Sequence, residues 1–302
     1  MPTAAERTTM DTLLEILNPN FLLRNALYGG LVIGLVAPLV GVFLLARRLV
    51  FIGITLPQVS TAGVAAAFVW HTYFHGHQSR DVSDFMLALV GSTILTFAVI
   101  LGLAFLERRG RGLGEGRIGM LYAIAGAVTI LLLASDRVTE IGVLGLLKGE
   151  IIAIPDTELR ILVLGYGAIL ALVTIFHKEL VLVAVDREMA ISLGKRVALW
   201  DLVLFGIIGV AISLGVLVVG PLVMFGFLIV PPMIAGRLAI GMRNVSIVAA
   251  LVGTGIALVG FAAAYRLDLP TGPSDVALAG VVLAVVMTWQ SMRAFVFRTA
   301  VQ

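Results

Sequence analysis

The stretch RNALYGGLVIGLVAPLVGVFLLARRLVFIG, residues 24–53, carries no charged side chain between Arg24 and Arg47. An apolar run of that length matches the roughly 20 helical residues needed to cross a hydrocarbon core about 30 Å thick. The same signature recurs along the chain, with spans read at 21–46, 50–70, 85–106, 118–134, 160–177, 200–219, 221–236, 245–265 and 276–292. Of 302 residues, 60% are hydrophobic and 13% charged, against roughly 45–50% and 25% in soluble domains. A water-soluble fold has nowhere to hide that much apolar surface. The fold class is therefore all-α: a polytopic integral membrane protein with about eight to nine transmembrane helices.

Residues 1–20 read as an N-terminal interfacial segment with Leu13, Leu14 and Leu17 toward the membrane. Glu6, Asp11 and Glu15 accompany Arg7, and no short apolar core leads to a small-residue cleavage site as in a signal peptide. Residues 21–302 read as a single transmembrane domain. Lys and Arg alternate between the connecting segments: 47–48, 107–117, 178–198, 237–243 and the tail from 293 hold fourteen of the 21 basic residues. The positive-inside rule places those segments in the cytoplasm, the N-terminus outside and the C-terminus inside, which requires an odd number of spans. Gly220-Pro221 either divides two full helices or marks a broken, re-entrant segment.

Four segments depart from plain spanning helix. Pro57 is expected to break the second span beside Gln58, Ser60 and Thr61, three polar residues at membrane depth. Gln58 either faces a translocation path, with Ser60 and Thr61, or satisfies backbone groups freed by the proline. Residues 136–159 read as an outer helix or re-entrant element; their Glu140, Glu150, Asp156 and Glu158 either attract cations to a vestibule or pair with Lys148 and Arg160. Residues 178–198 form an amphipathic stretch on the cytoplasmic side. The outer loop WHTYFHGHQSRD, 70–81, brings together His71, His75 and His77. Neutral imidazoles suit zinc and similar ions, and the competing reading is a solvated loop. Gly30 and Gly34 form a small-residue pair that lets a helix approach closely. The arginines of ERRGRGLGEGR, 107–117, meet a partner or anionic lipid headgroups, or serve topology alone.

Several classes of function are disfavoured. Cysteine is absent, so thiolate chemistry is excluded. A phosphate-binding loop needs Gly-x4-Gly-Lys-Ser/Thr, whereas Gly194-Lys195 is followed by Arg196 and preceded by Met189 at the first glycine position. No span as read carries an ionisable group well inside it, which disfavours proton- or ion-coupled secondary transport. Nor does any span carry a His-Glu, paired-carboxylate or Ser-Lys set suited to catalysis. The expectation is a non-enzymatic transport protein with no tightly bound cofactor and no nucleic-acid partner, powered by another subunit that docks on 178–198.

Four stretches, in order, resemble the permeases of bacterial ABC-type zinc, manganese and iron importers over about 21–292. They are the opening run with its Arg-Arg-Leu turn (24–53), GRIGMLYAIAGAVTILLLAS (116–135) followed by LLKGEIIAI (146–154), DREMAISLGK (186–195), and GVLVVGPLVMFGFLIVPPMIAGRLA (215–239). The resemblance implies a single permease domain in the bacterial cytoplasmic (inner) membrane that pairs with a second permease copy. Two ATPase subunits would use the ATP, an extracytoplasmic solute-binding protein would deliver the cargo, and the cargo would be a divalent metal ion. Asp186, Glu188, Ala190 and Gly194 would then form the ATPase-coupling loop, with Arg237 nearby. One departure is plain. Where the family reads Gly-Asp-x-Leu-x-His, with the Asp and His as metal ligands, this chain reads Gly53-Ile54-Thr55-Leu56-Pro57-Gln58. The aliphatic Ile54 offers a cation no donor, so the alternative of a permease for a non-metal cargo stays open, as does the remoter one of a self-contained channel or carrier.

Overall fold

A computed structural model describes residues 23–75, 84–108, 115–135 and 154–299. The interfacial segment 1–20, the segments 76–83, 109–114 and 136–153, and residues 300–302 lie outside the described residues. The described chain is helical, with α1 Arg24–Ala46, α2 Val50–His75, α3 Asp84–Arg108, α4 Glu115–Ser135, α5 Asp156–Ile175, α6 His177–Val185, α7 Arg187–Ser192, α8 Val197–Leu238, α9 Met242–Leu267 and α10 Thr271–Thr299. Among the described residues, eight of these helices are long and apolar enough to cross a membrane.

α8 is the exceptional element. At 42 residues a straight helix would measure about 63 Å, twice the hydrocarbon thickness. Gly220 interrupts it with φ 78° and ψ 166°, a region essentially closed to residues with a Cβ. The Tyr166 hydroxyl of α5 donates to the Ala211 carbonyl at 2.8 Å and lies 3.7 Å from the Met224 sulfur. In a straight helix those two residues would stand about 20 Å apart. The element is therefore a hairpin: Val197–Val219 rises from one face, the chain turns at Gly220-Pro221, and 221–238 returns. Counting both arms gives nine crossings among the described residues, which favours two full helices over the re-entrant reading.

α1 and α8 form the buried centre. Gly34 of α1 meets Gly253 and Ala257 of α9 so closely that neither glycine has room for a Cβ, and Gly41 meets the backbone of Leu228 on the returning arm. Such backbone-to-backbone approach is how helices gain packing energy where lipid supplies no hydrophobic drive. Pro38 lies in the same seam, beside Gly253. Gly63 and Gly91 give α2 and α3 an equally close contact. At one end of the bundle Asn25 donates to the Ile154 carbonyl and the Asp156 carboxylate, both at 2.8 Å, joining α1 to α5. At the opposite end Arg47 binds Asp201 at the foot of α8.

Three sequence expectations need correction. Pro57 does not break α2, which runs unbroken through it; a proline removes only the one amide bond to the carbonyl four residues back, and separately the Thr61 hydroxyl bonds to the Pro57 carbonyl at 3.0 Å. The fifth span begins at Asp156 rather than 160, with Asp156 and Glu158 in its first turn, where carboxylates suit the helix dipole. The last begins at Thr271 rather than 276, so it includes Asp275, which is 3% exposed.

Candidate coupling site and membrane path

The segment 186–195 folds as a helix with both ends closed. Asp186 caps it, its carboxylate accepting the Met189 amide at 2.9 Å; Asp is among the best residues for that position because it satisfies an amide with no intrahelical partner. Ala190 is fully buried among Val183, Val197, Leu182 and Trp200, with no exposed surface of its own. Gly194 takes φ +71°, and the paired bonds Gly194 N–H to Ile191 carbonyl, 2.9 Å, and Lys195 N–H to Ala190 carbonyl, 3.0 Å, close the C-terminus as a Schellman motif. Glu188 is exposed in the first turn, its carbonyl accepting from Ser192 at 3.0 Å. Lys195 reaches Glu179 of α6 at 3.7 Å.

A six-residue helix is unstable alone; here it is clamped at both termini and seated by one methyl group. Its outward rim is apolar, with Val185, Met189, Ile191 and Leu193 more than half exposed. It stands on the face that carries Arg47 and Asp201, where positive-inside counting places the cytoplasm. His177, at the start of α6 on the same face, is held below the ordinary imidazole range by burial and by the charge of Arg243. Arg237, expected near this segment, closes the returning arm of α8 and pairs with α10: its carbonyl accepts from Gln290 at 2.7 Å.

The polar run of α2 divides by face. Ser60 and Thr61 are buried inside the protomer. The Ser60 and Ser92 hydroxyls share a hydrogen bond of 2.7 Å, linking α2 to α3, and Thr61 turns back on its own helix. Ile54 and Gln58, one turn apart, are both half-buried on α2, and Gln58 lies beside Gly126 of α4, whose missing side chain leaves room for its amide. α4 itself is mostly exposed and lies along α2. Of the three outer histidines, His77 lies outside the described residues, as does the side chain of His75; His71 is half-buried in the last turns of α2. Among the described residues no three His, Asp or Glu side chains converge to hold a metal ion.

Sequence reading missed three residues. Asp201 bridges Arg47 and Arg187; its signal was an acidic residue at the foot of a long apolar run. Tyr166 pins the hairpin, signalled by a lone phenol at mid-span that must find an acceptor where there is no water. Asp275 falls outside the span read at 276–292, whereas α10 begins five residues earlier, at Thr271.

A profile of the ABC 3 transport family matches residues 20–291. The chain belongs to the ABC 3 transport family. This permease is 26% identical to a probable metal transport system membrane protein of Thermotoga maritima, over 85% of the present chain and 86% of the relative. It is 25% identical to the manganese import system permease protein ScaB of Streptococcus gordonii, over 87% and 89%. Its fold matches PsaBC from Streptococcus pneumoniae, solved in complex with Fab, with a TM-score of 0.76 and 22% identity over 92% of this chain and 95% of that one.

Proposed function

We propose that the chain is the transmembrane subunit of an ABC importer for a divalent metal ion, working by alternating access. It pairs with a second permease copy in the bacterial inner membrane, ATP is used by separate ATPase subunits, and a solute-binding protein delivers the ion from outside. The observation that carries this reading is α7: a short helix capped at both ends that offers an apolar rim on the basic face of a chain with no phosphate-binding loop. Asp186, Ala190 and Gly194 shape that helix, Glu188 stands on its exposed side, and Arg237 fixes the neighbouring end of α8. The metals named in the relatives' descriptions support the cargo class.

The ion's route follows the open α2/α4 face. Gln58 contributes one neutral amide oxygen there and Ile54 none, so the ion is held weakly while passing; His71, His75 and His77 receive it at the outer mouth. Ser60 and Thr61 serve this route indirectly, by holding α2 against α3. The test is the whole complex in liposomes, supplied outside with Mn2+, Zn2+ or Fe2+. One of these ions is expected to be taken up and to raise ATP hydrolysis. ATP hydrolysis indifferent to all three would sink the metal reading and favour the non-metal cargo to which Ile54 and Gln58 point. Uptake by the permease without its ATPase would instead favour a self-contained carrier.

A further inference from the structure

Between α7 and the membrane bundle lies one shared carboxylate. Asp201, in the first turns of α8, presents Oδ1 to the guanidinium of Arg47 at the end of α1, and Oδ2 to Arg187 at the start of α7, at 3.2 Å. Arg47 also donates to the Val183 carbonyl of α6 at 3.4 Å, and its guanidinium stands 5.7 Å from the centre of the Phe205 ring of α8. Asp201 and Arg47 are 14% and 11% exposed, whereas Arg187 is 51% exposed. Shielding from water strengthens and stiffens the inner pair. The outer pair can be cut without opening the core.

We propose that Asp201 is the joint through which movement of α7 reaches the transmembrane helices: one carboxylate ties the coupling helix to the end of α1 and the foot of α8 together. The proposal rests on reading 186–194 as the ATPase-docking segment. Two other attachments of α7 go by way of α6 and α8, and α6 itself meets Arg47 through the Val183 carbonyl. Ala190 sits in a pocket shared with α6 and α8, and the Lys195–Glu179 pair returns to α6. Arg47 links this carboxylate to the end of α1, and Arg187 links it to α7. Asp201 is thus a positioning residue: it touches no cargo, and its effect appears in how much transport each ATP drives.

The experiment uses the reconstituted complex of permease, ATPase and binding protein, reading Mn2+ uptake and ATP hydrolysis in the same vesicles. Arg187→Gln is expected to leave assembly and the thermal midpoint unchanged, while uptake per ATP falls about threefold to fivefold, near the ceiling for a half-exposed ion pair. Arg187→Lys is expected to restore most of the ratio, since a single N–H contact needs only one donor. On an Asp201→Asn background, Arg187→Gln is expected to add nothing, because the joint is already cut. An unchanged ratio in Arg187→Gln, or an equal further loss on the Asp201→Asn background, would overturn the joint. So would loss of ATPase co-purification, which would make Arg187 a docking contact. Gly194→Ala in parallel separates the two ideas. If Gly194→Ala lowers the ratio and Arg187→Gln does not, only the joint fails; if Gly194→Ala also leaves it intact, the docking reading fails too.

Discussion

Asp186, Ala190 and Gly194 stand at intervals of four, and each is the residue its backbone position requires: an oxygen acceptor at the cap, one methyl in a closed pocket, no Cβ at φ +71°. Gly194→Ala is expected to cost about 1 kcal/mol through left-handed strain and to uncouple ATP hydrolysis from transport; wild-type coupling in that variant would count against the assignment. Asp201→Asn strands the guanidinium of Arg47, whose Nε already lacks a partner, so a loss of about 3 kcal/mol is expected, seen as a lowered unfolding midpoint in detergent. Asp275 invites the opposite result. Its Oδ1 is buried without a partner, against Gly260, so Asp275→Asn, nearly isosteric and never charged, is expected to hold or raise the midpoint. DREMAISLGK stands out through its resemblance to the family pattern as a coupling loop; that it folds as a helix capped by Asp186 and closed by Gly194 comes from the structure. The Arg47–Asp201 contact could not be read from sequence, since 154 positions separate its partners and only the folded bundle brings them together.

Most helices were readable because lipid demands long apolar runs and leaves few other ways to satisfy backbone groups. Errors gathered at helix ends and at prolines. Pro57 is expected to break α2 because its missing amide is visible in sequence, whereas the packing that keeps the helix continuous through it is not. Gly220 is the true turn, and Gly220→Ala is expected to destabilise the hairpin by about 2 kcal/mol, measured by chemical unfolding, with little change for alanine at Gly206, where no atom lies within reach of an added Cβ. At the foot of α6, His177 is held neutral by burial and Arg243. An imidazole whose folded pKa is depressed supports the fold above its ordinary value near 6.5 and loses that support as pH falls toward the folded value. Thermal stability is therefore expected to rise with pH across that window, and His177→Gln to flatten the rise.

Nine crossings among the described residues would put residue 24 and residue 299 on opposite sides, and a chain without cysteine permits a direct check. A single cysteine at Arg24 should react with an impermeant thiol reagent from outside, and one at Arg298 from the cytoplasm only; labelling both from one side would remove a crossing. The hairpin of α8 has a further implication for the transport cycle. Both of its feet rest on the basic face, one beside α7 at Asp201 and the other at Arg237 against α10, while its bend at Gly220 lies at the far side. It is built like a pair of tongs with its bend at one end and both handles at the other. On the proposed function, an ATPase docked on α7 would push on the handles and not on the bend, so its stroke would act mainly at that end of the hairpin.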